Sequence, residues 1–452
     1  MTSVDATQLL AGFPDLQQRG DPAGARVIDV VSAKVPGSAA GRPRSELLPA
    51  VLMELAKDVT SSDIIPEVRD FLCDGDAIDA LLVNNHERVK RAQKFFGDNG
   101  VVVITALFHA SLPEAYLGKR GVQVLDITGE LWRSFTRRAQ ETGQFLINVL
   151  SPTPSLWRDN KTTSLTSGQF AAIACRRVRL VHAAVRWMVT DVARHDLPPP
   201  SSQSQQTTLT VWNERMREIG EGVDTSAPLN QEDLLATLGT FTTVVFDVLD
   251  RFAVSYDDVI REDFYFLWNV IGWHLGIGDA EAVQANAAAV TSLPSRFPDN
   301  RILPLSGDEL DAVYKHLAAK LQKPTHQGTR MTKALMQELA YPLPERLQGA
   351  PAFIARYLLS EKHADDLGIE KGGYTELLLN SSGLLRRWSR LARLNTVSSL
   401  GIALVSRQVS EYAVRVFISQ ARWSERGLKI DPQVASRWGI ELPPKRSVPP
   451  PI

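Results

Sequence analysis

From about residue 45 onward, apolar side chains return at three- and four-residue intervals in one segment after another. That period limits the chain to helices packed on helices. "SELLPAVLMELAKDV" opens on Ser45 as a helix cap, and "DAIDALLVNNHERVKRAQKFF" repeats the pattern from Asp76. "TGELWRSFTRRAQETGQFLINVL" starts at Thr128 and runs to Leu150; the Thr128 hydroxyl makes half a capping box, because Leu131 stands where Glu or Gln would complete it. "LNQEDLLATLGTFTTVVFDVLDRF" carries Asn230 as N-cap with Asp233 in the first turn, both favourable to the helix dipole. "EDFYFLWNVIGWHLGI", from Glu262, is apolar nearly all round, as a buried helix is. Only "GVVVIT" at Gly100 and "GVQVLDI" at Gly121 read as short strands. The expected fold class is all-α.

Composition shifts divide the chain. Residues 1–44, with Gly and Pro throughout, read as a loosely structured segment; 45–375 as one large helical domain; 376–440 as a helical extension; and 441–452, with "PPKRSVPPPI", as a disordered tail. Leu150 to Gln169 and His195 to Thr210 are Pro- and Ser-rich loops between helices. The first of these is a candidate lid carrying Trp157.

Several chemistries are excluded. A net charge of −1 favours neither nucleic acid nor anionic lipid. Cys73 and Cys175 build no disulfide framework and sit in no CxxC or CxxCH pattern, which fits a reducing compartment. No secretory signal opens the chain and no run of about 18 apolar residues occurs, so a cytoplasmic protein without a spanning helix is expected. HExxH, GxGxxG, GxxxxGK[ST] and GxSxG are all absent. Basic residues cluster in "GLLRRWSRLARL" from Gly383, so peripheral membrane contact through 383–405 is one reading; the regular Leu and Trp stripe favours a packed helix with a solvated face.

One run stands apart. In "CRRVRLVHAAVRWMV", Cys175 to Val189, His182 shares a helix face with Val178, Arg179, Val185 and Arg186. A lone histidine among aliphatics is ordinarily a core residue bonded to a carbonyl. With arginines one turn to either side, the same face also suits a haem: imidazole to iron, Val178 and Val185 against the macrocycle, Arg179 and Arg186 toward propionates. Arg179 has a second reading, in which it orients His182 indirectly.

The residues carry a resemblance. "RVRLVHAAVR" is similar to the haem-ligand helix of the latex-clearing protein (rubber oxygenase) and MpaB-type oxygenase family. The block from Phe96 to Pro152, the Asn230 helix, "FLWNVIGWHLGI" and "ARYLLSEKHADDLGI" follow that family's order, over about residues 95 to 375. The resemblance implies a globin-like helical domain around one non-covalent haem b, with His182 ligating the iron and dioxygen binding opposite. It also implies a distal group. The rubber enzymes carry Arg-x-x-Lys-Thr there, and this chain has Arg138, Glu141 and Thr142, with Glu141 in the place of the lysine. In an apolar pocket that carboxylate would serve as base or proton donor; as a solvated helix position it would need no such role. His274 could line the pocket or approach the haem, a hydrogen-bonded core position being the simpler reading, and His109 reads as structural.

The function implied is oxidation of a small apolar, unsaturated substrate, a terpenoid or lipid, by cleavage of a carbon–carbon double bond. The missing export signal argues against insoluble polyisoprene. Two alternatives stay open: a haem-binding or sensing protein with a closed distal site, and a helical scaffold in which His182 is a core residue.

Overall fold

Asp21 followed by Pro22 is a helix start in miniature. The aspartate sits in extended backbone and accepts from Gly24 N, while the proline occupies a first-turn position where its missing N–H costs nothing. The helix it starts is the first long one of the chain. The computed structural model describes residues 5–11, 13, 15–38, 42–73, 85–132, 135–151, 171–190, 208–221, 227–278, 302–341, 343–371 and 432–438. In order the helices are α1 (Ala6–Ala11), α2 (Pro22–Lys34), α3 (Arg44–Leu55), α4 (Pro66–Cys73), α5 (His86–Ala106), α6 (Leu112–Tyr116), α7 (Gly121–Trp132), α8 (Phe135–Leu150) and α9 (Ala171–Val189). There follow α10 (Thr208–Glu218), α11 (Gln231–Thr240), α12 (Thr243–Arg251), α13 (Asp258–His274), α14 (Gly307–Leu321), α15 (His326–Ala340), α16 (Ala350–Leu358), α17 (Glu361–Asp366) and α18 (Pro432–Arg437). Among the described residues there is no strand, only an isolated bridge between Gly118 and Gln322. The fold is all-α, as the spacing predicts.

Several local expectations are corrected. "GVVVIT" ends α5 and "GVQVLDI" begins α7: the apolar run is buried on every side, so its lack of alternation reflects a core helix. Thr128 lies inside α7, where its hydroxyl donates back to Val124 O at 2.9 Å in place of capping. Ser45 stands one residue inside α3, which begins at Arg44 after Pro43. Residues 5–38 are largely helical and packed, correcting the loose N-terminal segment; Val27, Ile28 and Val31 of α2 are buried in a core that also holds Leu180, Ala183 and Met188 of α9. Asn230 does cap α11, accepting from Asp233 N, and α13 is buried along most of its length. The start of the expected Asp76 helix, Trp157, residues 152–169 of the loop expected from Leu150 to Gln169, all of 383–405 and the 441–452 tail lie outside the described residues, while Leu150 ends α8.

Two cores result. The larger joins α5 with α11 to α16, and the smaller joins α2, α3, α4 and α10. Helix α9 belongs to both, with Ala171 and Cys175 in the first and Leu180, Ala183, Ala184 and Met188 in the second. Its arginines tie the smaller core together. Arg177 donates to the carbonyls of Ala56 and Lys57 at the end of α3, and Arg176 to Leu72 O in the last turn of α4, satisfying carbonyls that a helix leaves without partners. At the α2–α9 crossing a Cβ on Gly24 would lie 2.9 Å from Ala183 Cβ, so only glycine permits this approach.

The stretch His86–Tyr116 forms a helical run of 31 residues that is long and apolar enough to cross a bilayer, by length and composition; 83% of its apolar window is buried inside the protein. The buried Asp263 of α13 binds it through Arg88 at 2.8 Å and Arg91 at 2.6 Å. The segment after α18 closes against it too. Trp438 donates to Gly97 O at 3.1 Å and meets Phe96 edge-on, and a Cβ on Gly100 would lie 2.1 Å from the Trp438 ring. Trp438→Ala is expected to lower stability by about 3 kcal/mol, the usual cost of emptying a buried indole site. Urea unfolding checks this, and a change below about 0.5 kcal/mol, the range of indifferent surface changes, would refute the docking.

Candidate functional site

Helix α9 carries the site because its two sides differ. Leu180, Ala183 and Ala184 are buried, whereas Ala174, Val178, Val181 and Val185 are only half-buried and line up at three- and four-residue intervals. They form an apolar stripe that is partly open. His182, itself half-buried, sits at the edge of this stripe, and beyond it lie Arg179 and Arg186.

Both guanidiniums are held by the chain. Arg179 is buried and grips Asp21 with two bonds, Nε to Oδ2 at 2.8 Å and Nη2 to Oδ1 at 2.7 Å, with its guanidinium 5.5 Å over the Phe71 ring. Gly276, at φ +77, presses its backbone on that guanidinium; a Cβ there would lie 2.4 Å from Arg179 Nε. Arg186 donates from Nε to Pro228 O at 3.0 Å and from Nη2 to Leu229 O at 2.7 Å, while its Nη1 is buried without an acceptor. Leu229 holds a left-handed φ of 50 to present its carbonyl there. Gln231, fully buried, locks the surrounding loops by donating to Gly20 O and Gly276 O and accepting from Gly278 N.

Charge follows from this arrangement. Burial alone would raise the Asp21 carboxyl, but the hydrogen bonds and charge of Arg179, with Arg186, hold it below the usual carboxylate range. Burial drives the His182 imidazole down to about 4, helped by Arg186 and opposed by Asp21, so the ring is neutral at physiological pH. Its Nδ1 is buried with no hydrogen-bond partner. One carboxylate against two guanidiniums leaves an excess of positive charge beside a neutral ring.

The other expected residues fall as follows. Val178 and Val185 lie on the half-open stripe. Arg179, expected near a propionate, has its Nε and one Nη on Asp21. Arg138 lies in α8, and its side chain lies outside the described residues; Glu141 is exposed, rather than enclosed by apolar side chains, and Thr142 is half-buried. Helix α8 packs on α9. His274 is buried at the end of α13, two residues before Gly276. His363 meets Glu114 at 2.7 Å, and that contact raises its pKa. Among the described residues no group of three His, Cys, Asp or Glu could hold a metal ion. Asp21, Gln231 and Gly276 were not anticipated. The Asp-Pro pair signals the helix that places Asp21; nothing local marks the other two.

His109 belongs to a π-helical turn, Leu107–Ser111, inside a continuous helix, fully buried with Nδ1 3.1 Å from Thr105 O. Burial lowers its pKa from 6.5 to about 4, against a weaker upward pull from the Thr105 carbonyl. The unfolded chain therefore takes the proton first. Stability is full above about pH 6.5 and falls as the pH drops toward 4, by about 1.4 kcal/mol per unit for one group. Guanidinium unfolding at pH 7 and pH 5 should show His109→Phe losing less stability on acidification than the parent; equal losses would refute the burial of a neutral ring.

The family model described as "ER-bound oxygenase mpaB/B'/Rubber oxygenase, catalytic domain" matches residues 94–394. Among solved structures, the chain is similar to latex clearing protein in the closed state, with a TM-score of 0.54 and 16% identity over 90% of this chain and 95% of that one, a likeness of fold. No curated protein matches it.

Proposed function

The chain belongs to the mpaB/rubber oxygenase catalytic-domain family, and from that premise we propose that it is a haem b-dependent oxygenase with His182 as the iron ligand. The observation that carries the reading is the half-open apolar stripe with a neutral imidazole at its edge. A neutral imidazole nitrogen is what iron takes, and aliphatic side chains are what a macrocycle lies against. The buried, acceptor-less Nη1 of Arg186 and the local excess of positive charge fit an anionic arm such as a propionate. The residues present therefore fit the group.

When bound, the haem supplies dioxygen binding and electron transfer. The chain's own residues do the rest. Val178, Val181 and Val185 keep water from one face, and Arg186 orients the anionic edge. Arg138, Glu141 and Thr142 stand at three- and four-residue spacing on α8, which packs on α9; Glu141, exposed to solvent, would relay protons from water to the site in place of acting as a buried base. The substrate we propose is a small apolar, unsaturated terpenoid or lipid, cleaved at its double bond.

A visible spectrum tests the reading. The purified protein supplied with haem b should give a Soret band, and His182→Ala should lose most of it; full haem retention by that variant would remove His182 as ligand. Glu141→Gln is expected to keep the band and slow oxygen consumption on an unsaturated terpenoid at least tenfold, the scale of a lost proton carrier. Unchanged turnover would return Glu141 to an ordinary solvated position.

A further inference from the structure

Asp21 lies outside the stretch matched by the family, 94–394, yet it is the anion that the α9 site is built around. Three features fix it. It caps α2 through Gly24 N; it is buried, with both oxygens on Arg179; and Arg179 is wedged against it from the other side by the Gly276 backbone. On the helix surface Arg179 precedes His182 by three residues and Arg186 follows it by four, so both cations share the ring's side of α9. Among the described residues the buried Nδ1 of His182 has no hydrogen-bond partner. A ligating histidine commonly receives anionic character through such a bond, and here charge can reach it only through space.

We propose that Asp21 is a positioning residue of this site: by pairing with Arg179 it sets the electrostatic field at His182 and thereby the reduction potential of the iron that His182 holds. The inference rests on the haem reading and adds a named control of its redox state. The change concerned is the one-electron step between ferric and ferrous iron, the electron coming from an external reductant. Ferric iron carries one more positive charge than ferrous, so the anion favours the ferric form and an uncompensated Arg179 favours the ferrous form. Field strength in a buried cluster is poorly screened by salt.

The test is a spectroelectrochemical titration of the haem-loaded full chain at about pH 8, with dithionite as titrant. Asp21→Asn adds one net positive charge and should raise the ferrous-to-ferric ratio at a fixed potential about tenfold, which corresponds to about 59 mV for one electron. The double variant Asp21→Asn/Arg179→Gln restores the parent's charge sum and should return the ratio to within about threefold of the parent, although it lacks the two-bond clamp entirely. A purely structural clamp predicts the opposite pattern, with the double variant displaced at least as far as the single. That pattern, or no shift in either variant, overturns the proposal. Should Asp21→Asn fail to accumulate, Arg179→Gln carries the test: it removes one positive charge and should lower the ratio several-fold, and a rise or no change overturns the proposal. A parent protein that forms no haem complex overturns both this inference and the reading beneath it, whereas a normal complex with an unmoved potential overturns this inference alone.

Discussion

A guanidinium cannot be carried out of water without acceptors to receive it, the cost being several kcal/mol for each ion left uncompensated. Helix α9 draws in two such groups on either side of His182, Arg179 buried and Arg186 partly so, besides the buried Arg176. Much of the neighbouring structure answers that demand. Asp21 faces Arg179, and the carbonyls of Pro228 and Leu229 face Arg186. The glycines follow from these pairings: Gly20 lies against the Arg186 side chain and Gly276 against Arg179, each where a Cβ would collide. The strained Leu229 follows as well, since its left-handed backbone turns a carbonyl toward Arg186 just before Asn230 starts a helix. The N-terminal segment is thus held to α9 by charge as well as by apolar contact.

Compensation of this kind also explains why α9 can leave one side partly uncovered. The helix is anchored in two cores and by its arginines to the ends of α3 and α4, so it does not depend on the Val178–Val185 stripe for its place. An apolar surface that is only partly covered is available to a ligand, and an aliphatic strip of four residues, Ala174, Val178, Val181 and Val185, suits a planar one. The imidazole beside it is kept neutral by burial and by Arg186. Structural and chemical requirements therefore meet on a single helix.

The helical class, the buried α13 and the Asn230 cap were legible because each rests on residues close together in sequence. The singular position of His182 was legible for the same reason: its neighbours on the helix are its neighbours in the chain. What failed was of two kinds. "GVVVIT" and "GVQVLDI" look like strands because a fully buried helix loses its polar face, and a short window then holds no period to read. The N-terminal segment looked loose because its glycines and prolines were weighed as breakers, although Asp21-Pro22 is a helix start and Gly24 marks a crossing. The Asp21–Arg179 pair spans 158 positions, and no local pattern encodes such a contact.

That long-range pair changes what the matched region alone would say. Residues 94–394 alone show two arginines, one turn to either side of His182, and two cations suggest two anionic partners. With Asp21 in place, of the two arginines it is Arg186 whose Nη1 is buried and lacks an acceptor. Charge balance, rather than a count of cations, then describes this edge: Asp21 already answers Arg179, and the excess positive charge lies toward Arg186. The likeness to latex clearing protein, at 16% identity, is one of fold: it extends to the helices and not to the side chains between them. The chemistry within it depends on which charges this chain brings to those helices, and one of them comes from a segment the family match does not include.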